Sequence, residues 1–148
     1  MNTYFNTIIA DDHPISICGI NRVLSKDVFS VVGTAVTGRE VLRQLSQKKV
    51  DILISDVLMP FDVAGDERPL LLFERIKVEY PDVVIIAITM SRSKALLLRL
   101  YEIGVSGIIL KNEAAYLLPM ICEVALKNDE REPVCSPQSK IIMFGRGM

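Results

Sequence analysis

A single histidine, His13, occurs in the 148 residues. No site built from two imidazoles can form, so a His-rich zinc site is excluded. A Ser-His-Asp triad would have to rest on His13 alone. The three cysteines, Cys18, Cys122 and Cys135, are odd in number and lack CxxC spacing, which fits a reducing cytoplasm. Basic charge is not in excess. Seventeen Lys and Arg face 18 Asp and Glu, for a net charge of -1 and a pI near 5.8, so the electrostatic footprint of nucleic-acid binding is missing. No apolar run reaches transmembrane length, and Met1 to Ala10 carry neither a basic n-region nor a long apolar h-region. Neither a membrane span nor a signal peptide is expected, and the cytoplasm is the expected location. With 8 Gly, 7 Pro and 50% hydrophobic residues, disordered and fibrous classes are excluded. A chain of this length makes one domain that buries roughly 70% of its unfolded surface.

Short apolar runs alternate with amphipathic stretches of helical length. Thr7 to Ala10, Phe29 to Thr34, Asp51 to Ser55, Val83 to Thr89 and Gly107 to Leu110 read as strands. They are nearly continuous in Val and Ile, as strands of a parallel sheet covered on both faces are. Helices are expected at Pro14 to Leu24, Arg39 to Gln47, Pro69 to Tyr80, Ser93 to Ile103 and Pro119 to Asn128. Pro14 and Pro119 suit a first helical turn, Pro81 a stop and Gly104 a helix end. The alternation predicts an α/β domain: a doubly wound five-stranded parallel sheet with five helices, spanning residues 1–128. Residues 129–148 read as a linker or tail, with one further element expected near Gln138 to Met143.

Polar residues stand at four of the five strand ends: Asp11 and Asp12, Asp56, Thr89, and Lys111. Each has an ordinary reading alone, as a turn residue, an N-cap or a β former. In open α/β sheets, however, the ligand crevice lies at the carboxyl ends of the strands, so the whole set is expected to converge. Clustered carboxylates require a cation, and hard oxygen ligands select Mg2+ or a similar ion, which commonly pairs with phosphate oxygens. A lysine and a threonine nearby supply a point charge and a donor to those oxygens. Asp56 then serves as a nucleophile that forms an aspartyl phosphate.

The segments Ile8-Ile9-Ala10-Asp11-Asp12-His13-Pro14, Leu53 to Pro60, Ile88-Thr89-Met90 and Gly107 to Lys111 resemble a bacterial response-regulator receiver domain. The Asp-Asp-His-Pro start, followed by Gly19-Ile20, is similar to the NarL/FixJ class. The resemblance implies a CheY/flavodoxin-like fold and a phosphoacceptor role for Asp56. It also implies Mg2+ held by Asp11, Asp12, Asp56 and the Leu58 carbonyl, and phosphoryl contacts from Thr89 and Lys111. The implied donor is a phosphohistidine on a sensor histidine kinase or a histidine phosphotransfer protein. The implied output is transcription regulation through a homo- or heterodimer with response regulators, with DNA bound only by a C-terminal domain outside these residues. No enzyme in the ordinary sense is expected. Ile108 stands where many receivers have an aromatic switch residue, Asn112 where Pro is common, and Met90 where a small residue is common. The stretch Phe61 to Pro69 is longer than usual.

Two rival readings differ in class. One is a phosphorylation-independent interaction module on the same fold; the complete acidic set with Thr89 and Lys111 argues against it. The other is a haloacid-dehalogenase-like phosphatase, which needs a second Asp where this chain has Leu58. His13 reads as a helix-start residue, and Cys18 and Cys122 as ordinary thiols on neighbouring helices. Asp62, Asp66, Glu67 and Arg68 read as a solvated loop beside the site. In the fourth helix, Leu97, Tyr101 and Gly104 can share a buried stripe, and Leu96 and Leu98, on opposite flanks, read either as core or as surplus apolar surface for a partner.

Overall fold

The computed structural model describes residues 4–62, 68, 70–128 and 132–145. Six parallel strands lie in the order β2-β1-β3-β4-β5-β6: β1 Phe5–Ala10, β2 Phe29–Ala35, β3 Ile52–Asp56, β4 Val84–Thr89, β5 Gly107–Leu110 and β6 Val134–Cys135. The helices are α1 Pro14–Val23, α2 Gly38–Gln47, α3 Leu71–Glu79, α4 Lys94–Ile103, α5 Ala114–Lys127 and α6 Pro137–Phe144. A short 3-10 turn, Lys111–Glu113, joins β5 to α5.

The expected parallel α/β fold is borne out, with six strands and six helices among the described residues rather than five of each. The sixth strand is two residues long and polar at its margins, so it carries no apolar run to be read. It pairs Gly107 with Val134 and Ile108 with Cys135. The last helix, Pro137–Phe144, includes the stretch expected near Gln138 to Met143.

The sheet separates two cores because side chains alternate along each strand. Leu53, Ile85, Ala87 and Ile108 face α2, α3, α4 and α6. Ile52, Ile54, Ile86, Ile88 and Ile109 face α1 and α5, against Ile20, Leu118, Ile121 and Cys122. Helix starts follow local chemistry. Thr37 accepts from Glu40 N at 3.2 Å, and the Glu40 carboxylate reaches back to Val36 N at 2.8 Å, a reciprocal cap on α2. Ser93 caps α4 by accepting from Leu96 N at 3.2 Å. Gly104 closes α4 at φ 89°, a left-handed conformation that glycine adopts without a steric penalty.

Pro119 does not start α5 but lies inside it, five residues beyond Ala114. The turn Lys111–Glu113 has already begun the helix. The carbonyl that the missing N–H leaves free belongs to Ala115, on the exposed side. Pro69, expected to open α3, lies outside the described residues, and α3 starts at Leu71. In α4, Leu97 and Leu100 are buried, while Leu96, Leu98 and Tyr101 are partly buried and packed against the same core. The flanks expected to be surplus are thus partly covered by the chain itself, since α6 lies beside α4 and Phe144 meets Tyr101 edge-on at 5.4 Å.

Candidate functional site: an acidic crevice at the strand ends

The strand order reverses direction across β1, with β2 on one side and β3 on the other. Crevices in such sheets open at this switch point, beyond the carboxyl ends of the strands. Asp11 follows β1, Asp56 is the last residue of β3, Thr89 is the last of β4 and Lys111 follows β5.

Ligand atoms of Asp11, Asp12, His13 and Asp56 lie within 4.8 Å of one another. Asp11 is fully buried and Asp56 is 8% exposed. Asp11 Oδ2 accepts from Lys111 Nζ at 2.8 Å, and Asp11 Oδ1 accepts from His13 N at 2.9 Å. His13 Nδ1 stands 3.2 Å from Asp11 Oδ1 and 3.1 Å from Asp12 Oδ1. The imidazole itself is largely exposed and makes no side-chain cap on α1. His13 is therefore a helix-start residue in backbone conformation, and its ring also leans on the acidic pair.

The two buried carboxylates titrate in opposite directions. Burial pushes the Asp11 carboxyl up, but the Lys111 ammonium, the His13 backbone N–H and the His13 ring together bring it below the usual value. Asp56 is raised, first by burial and then by the negative charge of Asp11, and only partly relieved by Lys111 and the Leu58 backbone N–H. A single lysine thus faces three carboxylates, and negative charge is in excess around Asp56. A hard divalent cation relieves that excess, and the oxygen donor set fits one.

Thr89 is fully buried, and its Oγ1 accepts from Ser91 N at 2.9 Å, which leaves the hydroxyl proton to donate elsewhere. Beside it opens a cleft of about 390 Å³, lined by Thr89, Met90, Arg92, Leu110, Lys111 and Asn112. Met90 is 75% exposed and the Leu58 side chain 54% exposed, so both stand on the rim rather than in the floor. Of the charged loop beyond Pro60, Asp62 pairs with Arg39 Nε at 2.7 Å, whereas Asp66 and Glu67 lie outside the described residues. Cys18 is exposed and Cys122 buried. Burial pushes the Cys122 thiol up to about 12.

Glu113 was not legible as a structural hub. It is 2% exposed, accepts from Leu110 N through Oε1 at 3.2 Å, and accepts from Gln138 N through Oε2 at 3.2 Å. The only local hint is the acidic residue two positions after Lys111; its partner lies 25 residues away.

Residues 7–121 match the family of response regulator receiver domains, and the chain belongs to that family. Among its relatives is the transcriptional regulatory protein RcsB of Escherichia coli K12, 33% identical over 129 residues. That match covers 86% of this chain and 59% of RcsB, so the chain spans little more than half of its relative. The oxygen regulatory protein NreC of Staphylococcus carnosus is 34% identical over 71% of this chain and 47% of its own length. The isolated receiver domain of RcsB from Salmonella enterica serovar Typhimurium, solved with the phosphomimetic BeF3-, superposes with a TM-score of 0.82 at 30% identity. It covers 95% of this chain and 99% of that domain. A structure of two RcsB dimers bound to two parallel DNAs superposes at 0.81, covering 95% of this chain and 68% of that one. The likeness to NarL/FixJ-type regulators read from the sequence is thus borne out, and the chain is an RcsB-like two-component receiver.

Proposed function

We propose that this receiver accepts a phosphoryl group on Asp56 from a phosphohistidine of a sensor histidine kinase or a histidine phosphotransfer protein. The observation that carries the reading is the convergence of Asp11, Asp12 and Asp56 at the strand ends, with Lys111 on Asp11 and Thr89 at the end of β4. In the transfer, an Asp56 carboxylate oxygen attacks phosphorus, an O–P bond forms, and the N–P bond to the imidazole breaks. The leaving imidazole takes up a proton from solvent. Asp11, Asp12, Asp56 and the Leu58 carbonyl would hold Mg2+, which would supply positive charge to neutralise the carboxylates and the phosphoryl oxygens. Lys111 exchanges its Asp11 partner for a phosphoryl oxygen, and the Thr89 hydroxyl donates to another. Positioning and charge neutralisation supply most of the catalysis in such a step. The chain consumes one donor and keeps the product on itself, so it acts as an acceptor rather than a turnover enzyme.

The phosphoacceptor unit takes in residues 1–128, and β6 and α6 add to its sheet and core. Signal output follows the RcsB relatives, through a dimer with another response regulator and control of transcription. Among the described residues no helix is long and apolar enough to cross a membrane, and the cytoplasm is the compartment that suits this partner set. The test is intact-mass measurement after incubation with acetyl phosphate and Mg2+. One phosphoryl group should be added, and Asp56→Ala should abolish it. Modification that persists in Asp56→Ala, or none in the wild type, overturns the assignment.

A further inference from the structure

The segment after α5 folds back onto the β5 edge of the sheet. Val134 N donates to Ser106 O at 2.8 Å and Ser136 N to Ile108 O at 2.9 Å, which adds β6 to the sheet. Ser136 and Ser139 are fully buried, and Ser136 Oγ caps α6 by accepting from Ser139 N at 3.3 Å. At the far end of α6, Met143 is 2% exposed in the core that contains Leu97 and Leu100, and Phe144 covers Tyr101.

The first turn of α6 touches both loops that flank the site. Gln138 N donates to the buried Glu113 carboxylate. Gln138 Oε1 accepts from Arg92 Nη1 at 3.1 Å and lies 3.4 Å from Asn112 Nδ2. Arg92 belongs to the loop after β4 that begins at Thr89, and Asn112 to the turn that begins at Lys111. One half-buried side chain therefore bridges the two connections that carry the phosphoryl-contacting groups.

We propose that β6 and α6 form a latch in cis, seated while Asp56 is unmodified and loosened when a phosphoryl group sits on it. This inference rests on the phosphoacceptor reading above. New acceptor oxygens on Asp56 compete with Asp11 for the Lys111 ammonium, now 2.8 Å from Asp11 Oδ2, and draw the Thr89 hydroxyl toward them. Ser91 N follows, because it donates to Thr89 Oγ1. The Asn112 contact is already at the outer limit of a hydrogen bond. A shift of either loop by a fraction of an ångström removes part of the bridge at Gln138. Seating of α6 and occupation of the site are then thermodynamically linked, and the coupling is reciprocal. Loosening α6 uncovers the flank of α4 at Tyr101, which Phe144 covers.

Hydrogen exchange of the full 148-residue chain, read by mass spectrometry with and without Mg2+ and beryllofluoride, tests the latch. Amides of Gln138 to Phe144 should exchange about five- to tenfold faster when the analogue is bound, at the lower end of ordinary allosteric coupling. Gln138→Ala should show fast exchange in both states and bind beryllofluoride several-fold more tightly. Faster exchange with the analogue, lost in Gln138→Ala, supports the latch. Unchanged or slower exchange over these residues, while those around Asp56 and Thr89 become protected, overturns it. So does a Gln138→Ala variant indistinguishable from the wild type. If the analogue protects nothing around Asp56 at saturating concentration, the phosphoacceptor reading itself fails, and the latch fails with it.

Discussion

Asp56 is held in a state that disfavours its own charge: it is nearly buried, close to the Asp11 carboxylate, and only partly compensated by Lys111. Because burial and the neighbouring carboxylate raise it above the ordinary carboxyl range, the native state binds the proton more tightly than the unfolded chain does. This contribution therefore lowers stability as pH rises from the unfolded value through the raised one. Asp56→Asn should accordingly be more stable than the wild type at pH 7 in the presence of a chelator, by urea denaturation. The gain should shrink as pH falls below the raised value, where the wild-type carboxyl is already neutral. Equal stability at pH 7 would contradict the electrostatic account. At the rim, Leu58 offers no hydrogen bond to a water approaching the phosphorus in line, and Met90 adds bulk on another side. The aspartyl phosphate should therefore be long-lived, and Leu58→Asn should hasten its decay in Mg2+. Equal or slower decay in that variant means that Leu58 does not set the lifetime.

Elements are fixed by caps and by which face they bury. The two rows of strand side chains are legible as runs of Val and Ile, and the caps at Thr37 and Ser93 follow from short-range chemistry. Helix α5 is different, because its start is decided by the turn at Lys111–Glu113 and not by Pro119. A proline signals a first turn only where nothing upstream has already nucleated the helix. Helix α4 is anchored to the core through Leu97, which is fully buried. Leu97→Ala should destabilise the fold by about 2–5 kcal/mol, the usual cost of a buried leucine cavity. Denaturant titration checks this, and a loss below about 1 kcal/mol would mean that the α4 core collapses to fill the space. Leu96 and Leu98 are partly buried against the same core, and α6 lies beside this helix.

For the whole molecule, a net charge of -1 supplies no overall electrostatic attraction to duplex DNA. The 148-residue chain alone should show no sequence-selective retention of duplex DNA at physiological salt, by gel shift. Selective binding would place a recognition element inside these residues. The relatives' DNA complexes involve chains about half as long again, of which this chain covers 68% in one structure.

The sequence by itself determined the parallel α/β architecture and the composition of the crevice. Both depend on residues adjacent in the chain: apolar runs specify strands, and a polar residue at a strand's end must lie at one edge of the sheet. Asp11, Asp12, Asp56, Thr89 and Lys111 were therefore legible without coordinates. Only the tertiary structure decided which of them touch. The Asp11–Lys111 ion pair joins residues 100 positions apart, and the opposite titration of Asp11 and Asp56 follows from which carboxylate that lysine reaches. The sixth strand and the packing of the sixth helix, an element the sequence did suggest near Gln138 to Met143, belong to the same category. Their apolar signal is short, and the buried Glu113–Gln138 bridge that seats them exists only because the sheet edge and the site loops meet the returning chain.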